Sequence, residues 1–390
     1  MADPRIADAL ARLPDYFSNH VLVSITALLL GLVVSLPLAF VCVRRPAVRA
    51  LALAATSIVQ TIPGLALLAL FYPLLLGATA LTERFFGFGF SAIGFLPSVL
   101  ALALYSMLPP LRNTVTGLMS VDPAVTEAAT GVGMTPRQSL FMVQLPLALP
   151  VIMAGIRTAA VWVIGTATLS TPIGQTSLGN YIFTGLQTQN WVFVLFGCAA
   201  AAVLALAIDQ LLALMERGVG TRSRGQLVAG ALGLVIVASL ALLPSFAKGH
   251  KTYVIGAKPF AEQYILAALI EQRLAAGGLT AQLRQGLGSA VIFDALVAGD
   301  IDVYVEYSGT LWANQMRRTD IKPREEVLAE VSRWLADKYR VRMLGALGFE
   351  NSYALAMTQR RAGELGINSL ADLAPRSPQR SRSWPARISQ

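Results

Sequence analysis

Residues 122–150 read DPAVTEAATGVGMTPRQSLFMVQLPLALP and lie between two long apolar blocks. Asp122 is a good helix N-cap, and the proline after it falls at the first helical position, where a missing N–H costs nothing. Gly131 and Gly133 then end that helix, since glycine readily adopts the left-handed conformation at a helix end. Residues 135–138 (TPRQ) begin another helix with a capping box. The stretch therefore predicts two short helices that meet at a corner, a contact surface for a cytoplasmic partner.

The 390 residues divide into an apolar block and a more polar one. Hydrophobic residues make up 55% of the chain and its mean hydropathy is +0.60, values typical of a membrane protein. Residues 1–247 hold 20 charged side chains, and residues 248–390 hold 33. The net charge of +9 is spread over short loops and a basic C-terminal stretch without a nucleic-acid motif, so we expect no nucleic-acid partner. The pattern predicts a membrane domain followed by a soluble domain.

The cysteines and histidines predict neither a disulfide nor a metal site. Cys42 and Cys198 lie inside apolar runs, as small buried hydrophobic residues do. His20 and His250 are isolated from each other and from other ligands in the sequence. We therefore expect no metal centre and no catalytic residues in this chain.

The corner stretch carries a family resemblance. It contains Glu127-Ala128-Ala129, then three residues, Gly133, nine residues, Val143, one residue and Leu145-Pro146. This spacing resembles the EAA loop of ABC importer permeases, whose coupling helix docks on a cytoplasmic ATPase. The resemblance implies that Glu127 pairs with or caps a group on the ATPase and that Gly133 allows the corner. It also implies that ATP and Mg²⁺ are bound by that separate ATPase chain, with no cofactor in this one.

Charge placement predicts the topology of the first span. Residues 21–43 carry no charge and are long enough to cross a bilayer. Arg44, Arg45 and Arg49 follow directly, so the positive-inside rule makes that end cytoplasmic and the N-terminus external. Residues 1–20 are predicted to form a short amphipathic segment on the outer membrane surface.

Five further spans are predicted from the remaining apolar runs. The second run contains Gln60, Pro63 and Gly64, which either line a translocation path or form a kink tolerated against neighbouring helices. Six spans make residues 21–247 a permease domain and place everything after it outside the cytoplasm. The five spans lie within 49–83 and at about 90–111, 147–169, 191–214 and 227–246.

Residues 248–375 predict a partial α/β domain. Helical periodicity over 262–275 and a β-rich segment at 302–306 belong to an alternation of strands and helices. Residues 286–289 (GLGS) invite comparison with a phosphate-binding loop, but the chain contains no GxxxxGK[ST] sequence. ATP hydrolysis is therefore expected from another polypeptide.

Four segments of this domain resemble the substrate-binding domain of glycine-betaine/choline/carnitine-type importers, the osmoprotectant class. They are IGAKPFAEQYIL (255–266), GLGSAVIFDAL (286–296), GDIDVYVEYSGTLW (299–312) and GFENSYALAM (348–357). Proteins of this class hold quaternary ammonium groups in aromatic cages, because such a cation donates no strong N–H bond and is held by ring faces.

The resemblance implies a set of ligand-binding residues. Tyr307 and Tyr353 correspond to cage positions, although either could instead be a half-buried core aromatic. Tyr304 and Thr310 are further candidates. Positions implied to line the pocket are Gln263, Ser289, Ala290 and Asn351, with the two amides able to bond a carboxylate or hydroxyl.

Only about half of a two-lobed binding domain is expected within the sequence, with the remaining cage residues beyond residue 390. Residues 376–390 contain no acidic side chain and little apolar pattern, so they are predicted to be disordered or aberrant. Our hypothesis at this point is a frameshift or premature stop. A continuation in another reading frame of the gene would support it, and its absence would refute it.

The sequence thus predicts a membrane all-α permease of about six helices followed by a partial periplasmic-binding-protein-like α/β domain. The expected activity is alternating-access import of a quaternary-ammonium or betaine-type solute by a permease homodimer in the lipid of a bacterial inner membrane. The partner is a cytoplasmic ABC ATPase, and the C-terminal domain is periplasmic or extracellular. Alternatives are a different small amine, thione or amino-acid cargo, or a solute-sensing receptor. A secondary transporter would need mid-membrane ionisable groups, of which the spans offer almost none.

Overall fold

The computed structural model describes residues 3–247, 252–350 and 354–373. Within these ranges six helical segments are long and apolar enough to cross a membrane. This number agrees with the six predicted spans. The segments are Pro4–Arg44, Gly64–Phe86, Phe95–Met119, Pro136–Ile173, Trp191–Gly220 and Arg224–Pro244.

Individual helices subdivide this part of the chain further. They are α1 (Pro4–Arg44), α2 (Pro46–Thr61), α3 (Gly64–Phe86), α4 (Phe95–Ser106), α5 (Leu108–Met119), α6 (Pro123–Gly131), α7 (Pro136–Ser139), α8 (Leu145–Ala167), α9 (Gly179–Gln187), α10 (Trp191–Gly220) and α11 (Arg224–Ala247). A π-turn (Leu140–Gln144) joins α7 to α8, and a 3₁₀ turn (Thr168–Ile173) follows α8.

The first helix corrects the prediction of a separate surface segment over residues 1–20. α1 runs without a break from Pro4 to Arg44, and the Asp3 side chain caps it by accepting from the Arg5 N–H at 2.9 Å. Tyr16 is buried and packs edge-on against Tyr181 with ring centroids 4.8 Å apart. The segment therefore packs on other helices of the bundle, a contact far apart in sequence that its own amphipathic pattern did not reveal.

Proline interrupts the second and third spans. The kink predicted near Pro63 is confirmed, because α2 ends at Thr61 and α3 begins at Gly64. The Gln60 amide beside this break donates to the Tyr105 carbonyl at 3.2 Å. Tyr105 itself lies near the end of α4, just before the break that separates α4 from α5.

An ion network links α8 to α10. The Arg157 guanidinium donates to both carboxylate oxygens of Asp209 at 3.0 Å, and to Glu216 at 2.7 Å. All three side chains are about three-quarters buried. Because charged groups are costly in lipid unless they are paired, this bidentate contact fixes the two helices together.

Residues 252–306 form a small α/β lobe with the elements β1 (Thr252–Ala257), α12 (Ala261–Ala276), β2 (Thr280–Gln285), α13 (Ser289–Val297) and β3 (Val303–Tyr304). The strands form a parallel sheet of order β2-β1-β3. Alternation along β1 sends Ile255 and Ala257 towards α12, and Val254 and Gly256 towards α13. The predicted α/β architecture is therefore confirmed over this range.

The chain divides into two compact units, and the division does not follow the predicted boundary at residue 248. The first unit is Met1–Glu306 with Tyr339–Val341, so the lobe belongs with the membrane helices. This follows from the packing of the lobe on the helix bundle, described below. The second unit is Tyr307–Lys338 with Arg342–Gln390.

The second unit contains α14 (Ser308–Thr310), a π-turn (Leu311–Gln315), most of α15 (Arg324–Tyr339), α16 (Gln359–Leu365) and a 3₁₀ turn (Leu370–Leu373). Arg318 stacks over the Trp312 ring at 4.3 Å and bonds both oxygens of Asp320. That hydrogen-bonded pairing lowers the pKa of Asp320. The predicted tail, 376–390, lies outside the described residues.

Candidate functional site

The corner loop is held by short-range caps. The Asp122 carboxylate accepts from the Ala124 N–H at 2.8 Å. The chain then turns at Gly133, whose φ of 83° lies in the left-handed region. The Thr135 N–H donates to the Gln138 side chain at 2.8 Å, and the Gln138 N–H donates back to the Thr135 hydroxyl at 3.3 Å. The two predicted helices, their corner and the capping box are confirmed.

The second helix of the loop continues into the fourth span. After α7 the Leu145 N–H bonds to the Leu140 carbonyl, one residue further back than in an α-helix. Pro146 follows in the first turn of α8, where it can supply no N–H and would clash with the carbonyl four residues earlier. The wide turn accommodates that proline, and the loop passes into the span as one helical body.

Part of the EAA-like motif is available to a partner. Glu127, Ala128 and Gly133 are exposed, whereas Ala129 is 4% exposed and packs inward. Val132, at the corner, is 76% exposed. Beside α6 lies a groove of about 630 Å³, whose lining includes Phe40, Val43, Arg44, Leu118, Glu127, Met134 and Leu140.

The lobe and the corner loop contact opposite ends of α1. Arg44 lines the groove beside the loop, while the Arg12 guanidinium lies 3.7 Å from Glu271 of the lobe. Thirty-two residues of helix separate the two arginines, which is about 48 Å at about 1.5 Å per residue. This separation exceeds the hydrocarbon thickness of a bilayer, about 30 Å.

Other contacts fasten the lobe to the bundle. The Tyr72 hydroxyl of α3 donates to Asp294 of α13 at 2.5 Å, and the Thr184 hydroxyl donates to Gln285 at 2.9 Å. Leu287 is fully buried and packs in one cluster with Ile93. A Cβ on Gly174 would lie 3.0 Å from the Leu287 side chain, so the bundle approaches the lobe closely there.

The structure gathers half of the predicted ligand-binding residues at one edge of the sheet. Gln263 lies in the first turn of α12 after β1, Ser289 and Ala290 open α13 after β2, and Tyr304 ends β3. Parallel α/β sheets bind ligands at this carboxyl edge.

The other four predicted positions lie in the second compact unit or outside the described residues. Tyr307 and Thr310 lie at the start of the second compact unit, at and within α14. Asn351 and Tyr353 lie outside the described residues. The paired-tyrosine cage therefore stays a prediction.

Gln263 is the strongest ligand-directed feature of the lobe. Its side chain is 1% exposed, and neither its amide nitrogen nor its amide oxygen has a hydrogen-bond partner among the residues the structure describes. Leaving a buried amide unpaired costs about 1–3 kcal/mol, so such a group is expected to meet a ligand or water. The neighbouring Tyr264 hydroxyl is also unpartnered there, and burial raises the pKa of Tyr264 to about 12.

A buried charged network beside this edge was not predicted. Lys258, 1% exposed, forms an ion pair with Glu306, and the Tyr304 hydroxyl donates to Glu306 at 2.9 Å. Burial, reinforced by the Glu306 charge, raises the pKa of Tyr304. A signal was present in the sequence, since Lys258 and Glu306 each follow a strand and the carboxyl ends of adjacent parallel strands share an edge.

Comparison with known families bears directly on this arrangement. Residues 27–221 match the binding-protein-dependent transport system inner membrane component, and residues 251–387 match the substrate binding domain of ABC-type glycine betaine transport systems. The chain belongs to the ABC importer permeases. In this permease the corner loop falls inside the first match and the lobe inside the second. The predicted fusion of a permease with a substrate-binding domain is confirmed, as are its multi-pass membrane architecture and its transport role.

Named relatives cover either the permease part or both parts. The choline transport system permease protein OpuBB of Bacillus subtilis is 40% identical over 199 residues, 51% of this chain and 84% of the relative. The glycine betaine/carnitine/choline transport system permease protein OpuCB of the same species is 39% identical over 201 residues, 52% of this chain and 85% of the relative.

A third relative extends across both domains. The ergothioneine transport permease/ergothioneine binding protein EgtU of Helicobacter pylori is 30% identical over 341 residues, which cover 84% of this chain and 58% of the relative. The permease described here thus spans little more than half of that relative's length.

Proposed function

We propose that this chain is the membrane and solute-binding component of an ATP-driven importer for a quaternary-ammonium or betaine-type solute. The observation that carries the proposal is the placement of an α/β binding lobe and an EAA-like loop at opposite ends of α1, about 48 Å apart along the helix. Relatives named for choline and for glycine betaine, carnitine and choline support the cargo class.

The loop is the docking surface for a separate cytoplasmic ATPase. Glu127 and Gly133 are exposed on the loop, beside the exposed Val132. Glu127 offers a charge to the ATPase, Gly133 forms the corner and Val132 offers an apolar contact. ATP and Mg²⁺ belong to that ATPase chain. Two copies of the permease form the path in the lipid, and closure of the ATPases is transmitted through the two loops.

The lobe faces the periplasm or the exterior. Three arginines, at 44, 45 and 49, lie at the loop end of the bundle, and cytoplasmic ends of spans are enriched in such charges. Since the lobe contacts the other end of α1, it lies on the side from which an importer collects its solute.

Ergothioneine, a trimethylammonium betaine that also carries a thione, is a second and narrower candidate cargo. The relative named for it matches 84% of this chain and extends across both the permease and the lobe. The buried amide of Gln263 can bond a carboxylate in either kind of solute and so does not separate the two candidates.

Calorimetry on the full chain in lipid nanodiscs tests the cargo. Choline, glycine betaine, carnitine and ergothioneine are titrated separately, with glutamine as a zwitterion that lacks a quaternary nitrogen. Saturable binding of one of the first three supports the primary proposal, and binding of ergothioneine alone restricts the cargo to the second candidate. Binding of none of the four would contradict both.

A further inference from the structure

Three irregular points in the spans lie next to one another. Gln60, beside the α2–α3 break, bonds to Tyr105, beside the α4–α5 break. The Tyr105 ring lies next to that of Trp162, five residues before α8 gives way to a 3₁₀ turn. Lipid-exposed irregular backbone does not occur in the hydrocarbon region, whereas broken helices do occur where they border protein or a water-filled cavity.

Helix counting places the three side chains at a common depth. Gln60 lies fourteen residues beyond Pro46, and Tyr105 fourteen residues before Met119, each about 21 Å from the loop end of the bundle. Trp162 lies seventeen residues beyond Leu145, or about 26 Å. They are therefore within the bilayer, well short of the lobe.

The surface around Trp162 differs from a lipid-facing surface. Trp162 is 44% exposed, Thr158 one turn away is exposed, and a Cβ on Gly165 would meet nothing within 4 Å. Thr61 and Pro63 at the neighbouring break are exposed as well. The outer face of α11 has the contrasting apolar composition, with exposed Val228, Leu232, Val235, Ile236, Leu240 and Leu243.

The aromatic pair has a geometry suited to a cation. The Tyr105 and Trp162 ring centroids are 6.4 Å apart and the ring planes are inclined by 38°. A cation held within about 6 Å of a ring centroid is attracted by the ring quadrupole, most strongly for tryptophan. A site open on one side holds such a group weakly enough to release it, which passage through a membrane requires.

We propose that Gln60, Tyr105 and Trp162 form a second solute site, inside the translocation path, that receives the trimethylammonium group of the cargo after it leaves the lobe. The ring faces attract the cation and the Gln60 amide oxygen bonds a hydroxyl of the solute. This inference rests on the proposed import function and adds a second binding site to it.

Cysteine accessibility tests whether the surface around Trp162 is exposed to water. The chain has only two native cysteines, so Cys42→Ala and Cys198→Ala give a clean background. In that background Thr158→Cys, in nanodiscs, is expected to react with a water-soluble thiol reagent that carries a trimethylammonium group. Val235→Cys on α11 is the lipid-facing control and is expected to stay unmodified.

Choline is then expected to slow modification at position 158 by about threefold or more, the lower range of a cation–π contact. Trp162→Leu should remove that protection while leaving the cysteine reactive. A position 158 that never reacts, or choline protection that survives loss of both aromatic rings, would overturn the proposal.

Uptake separates failure of this site from failure of the proposed function. In proteoliposomes containing the chain and its ATPase, Trp162→Leu should reduce choline uptake about tenfold, with Trp162→Phe less affected. Trp191→Leu, at an exposed tryptophan away from the pair, should import normally. Normal uptake by Trp162→Leu refutes the site alone, whereas a wild-type chain that imports none of choline, glycine betaine, carnitine and ergothioneine refutes the proposed function and the site with it.

Discussion

The corner loop and the lobe are stabilised over very different sequence distances. In the loop, Asp122 caps an N–H two residues away and Thr135 exchanges bonds with Gln138. In the lobe, Lys258 pairs with Glu306, forty-eight residues further along the chain. A local structure can be read from its own residues, and its parts can be altered without disturbing the rest. A structure that depends on distant partners offers neither advantage.

The largest expected effect concerns transport and the loop. Gly133→Asp should abolish uptake and leave membrane insertion and solute binding by the lobe unchanged. Gly133 is exposed and a Cβ there meets nothing within 4 Å, so the variant projects a charge from the corner, and the strain of a side chain at φ 83° is shared by the control below. The measurement is solute uptake together with calorimetry on the same preparation.

Gly133→Asn is the matched control, because asparagine has the same size without the charge and tolerates the left-handed conformation. It should retain more uptake than the aspartate variant. Normal uptake by Gly133→Asp would contradict the assignment of this corner to coupling.

The next effect concerns the stability of the lobe. Lys258→Met leaves the buried Glu306 carboxylate without its cation, and removing one partner of a buried pair costs about 3–5 kcal/mol. Hydrogen exchange of the β1 and β2 amides should accelerate accordingly. The double variant with Glu306→Leu should recover most of the protection, and equal exchange in both variants would show that the ion pair is not what holds this edge.

Gln263→Leu should improve stability and impair function. The amide is buried without a partner among the described residues, so replacing it with an apolar side chain of similar size removes a cost of about 1–3 kcal/mol. Thermal unfolding should shift upward while solute affinity, measured by calorimetry, falls. Unchanged affinity would remove Gln263 from the ligand site.

The smallest effect returns to the loop. Thr135→Ala removes one half of the capping box and should cost about 1 kcal/mol, felt only in α7. Hydrogen exchange should increase at residues 135–139 and stay unchanged in the lobe. Thr135→Ser is the control and should restore the cap. Faster hydrogen exchange in the lobe of the Thr135→Ala variant would contradict the contrast between the two regions.

The same contrast explains which features were predictable. Caps at Asp122 and Thr135 and the proline at 63 act on their immediate neighbours, so the loop and the second-span kink followed from the sequence. The packing of Tyr16 on Tyr181 did not, because the two residues are 165 positions apart. The Arg157 network was not predicted for a similar reason, since its partners Asp209 and Glu216 lie on α10, far along the chain from α8.

The ligand site was predictable in part. Strand order and helix starts place Gln263, Ser289 and Tyr304 at one edge, as alternation of elements implies. Burial of the Lys258–Glu306 pair depends on the pairing of β1 with β3. Because β3 is only two residues long, the sequence predicts that pairing weakly. The cage of Tyr307 and Tyr353 stays a prediction, because Tyr307 lies in the second compact unit and Tyr353 lies outside the described residues.

Because α7, the π-turn and α8 form one continuous helical segment, a movement of the corner loop is transmitted directly to Trp162. Helical structure is continuous along Pro136–Ile173, and Trp162 lies about 26 Å from Leu145 along that axis. A tilt of about 10° about the loop end therefore displaces the indole by about 4–5 Å, roughly the width of a methyl group. Under the proposed function, a tilt of this size at the corner loop would move the Trp162 ring relative to Tyr105 with no change inside the helix itself.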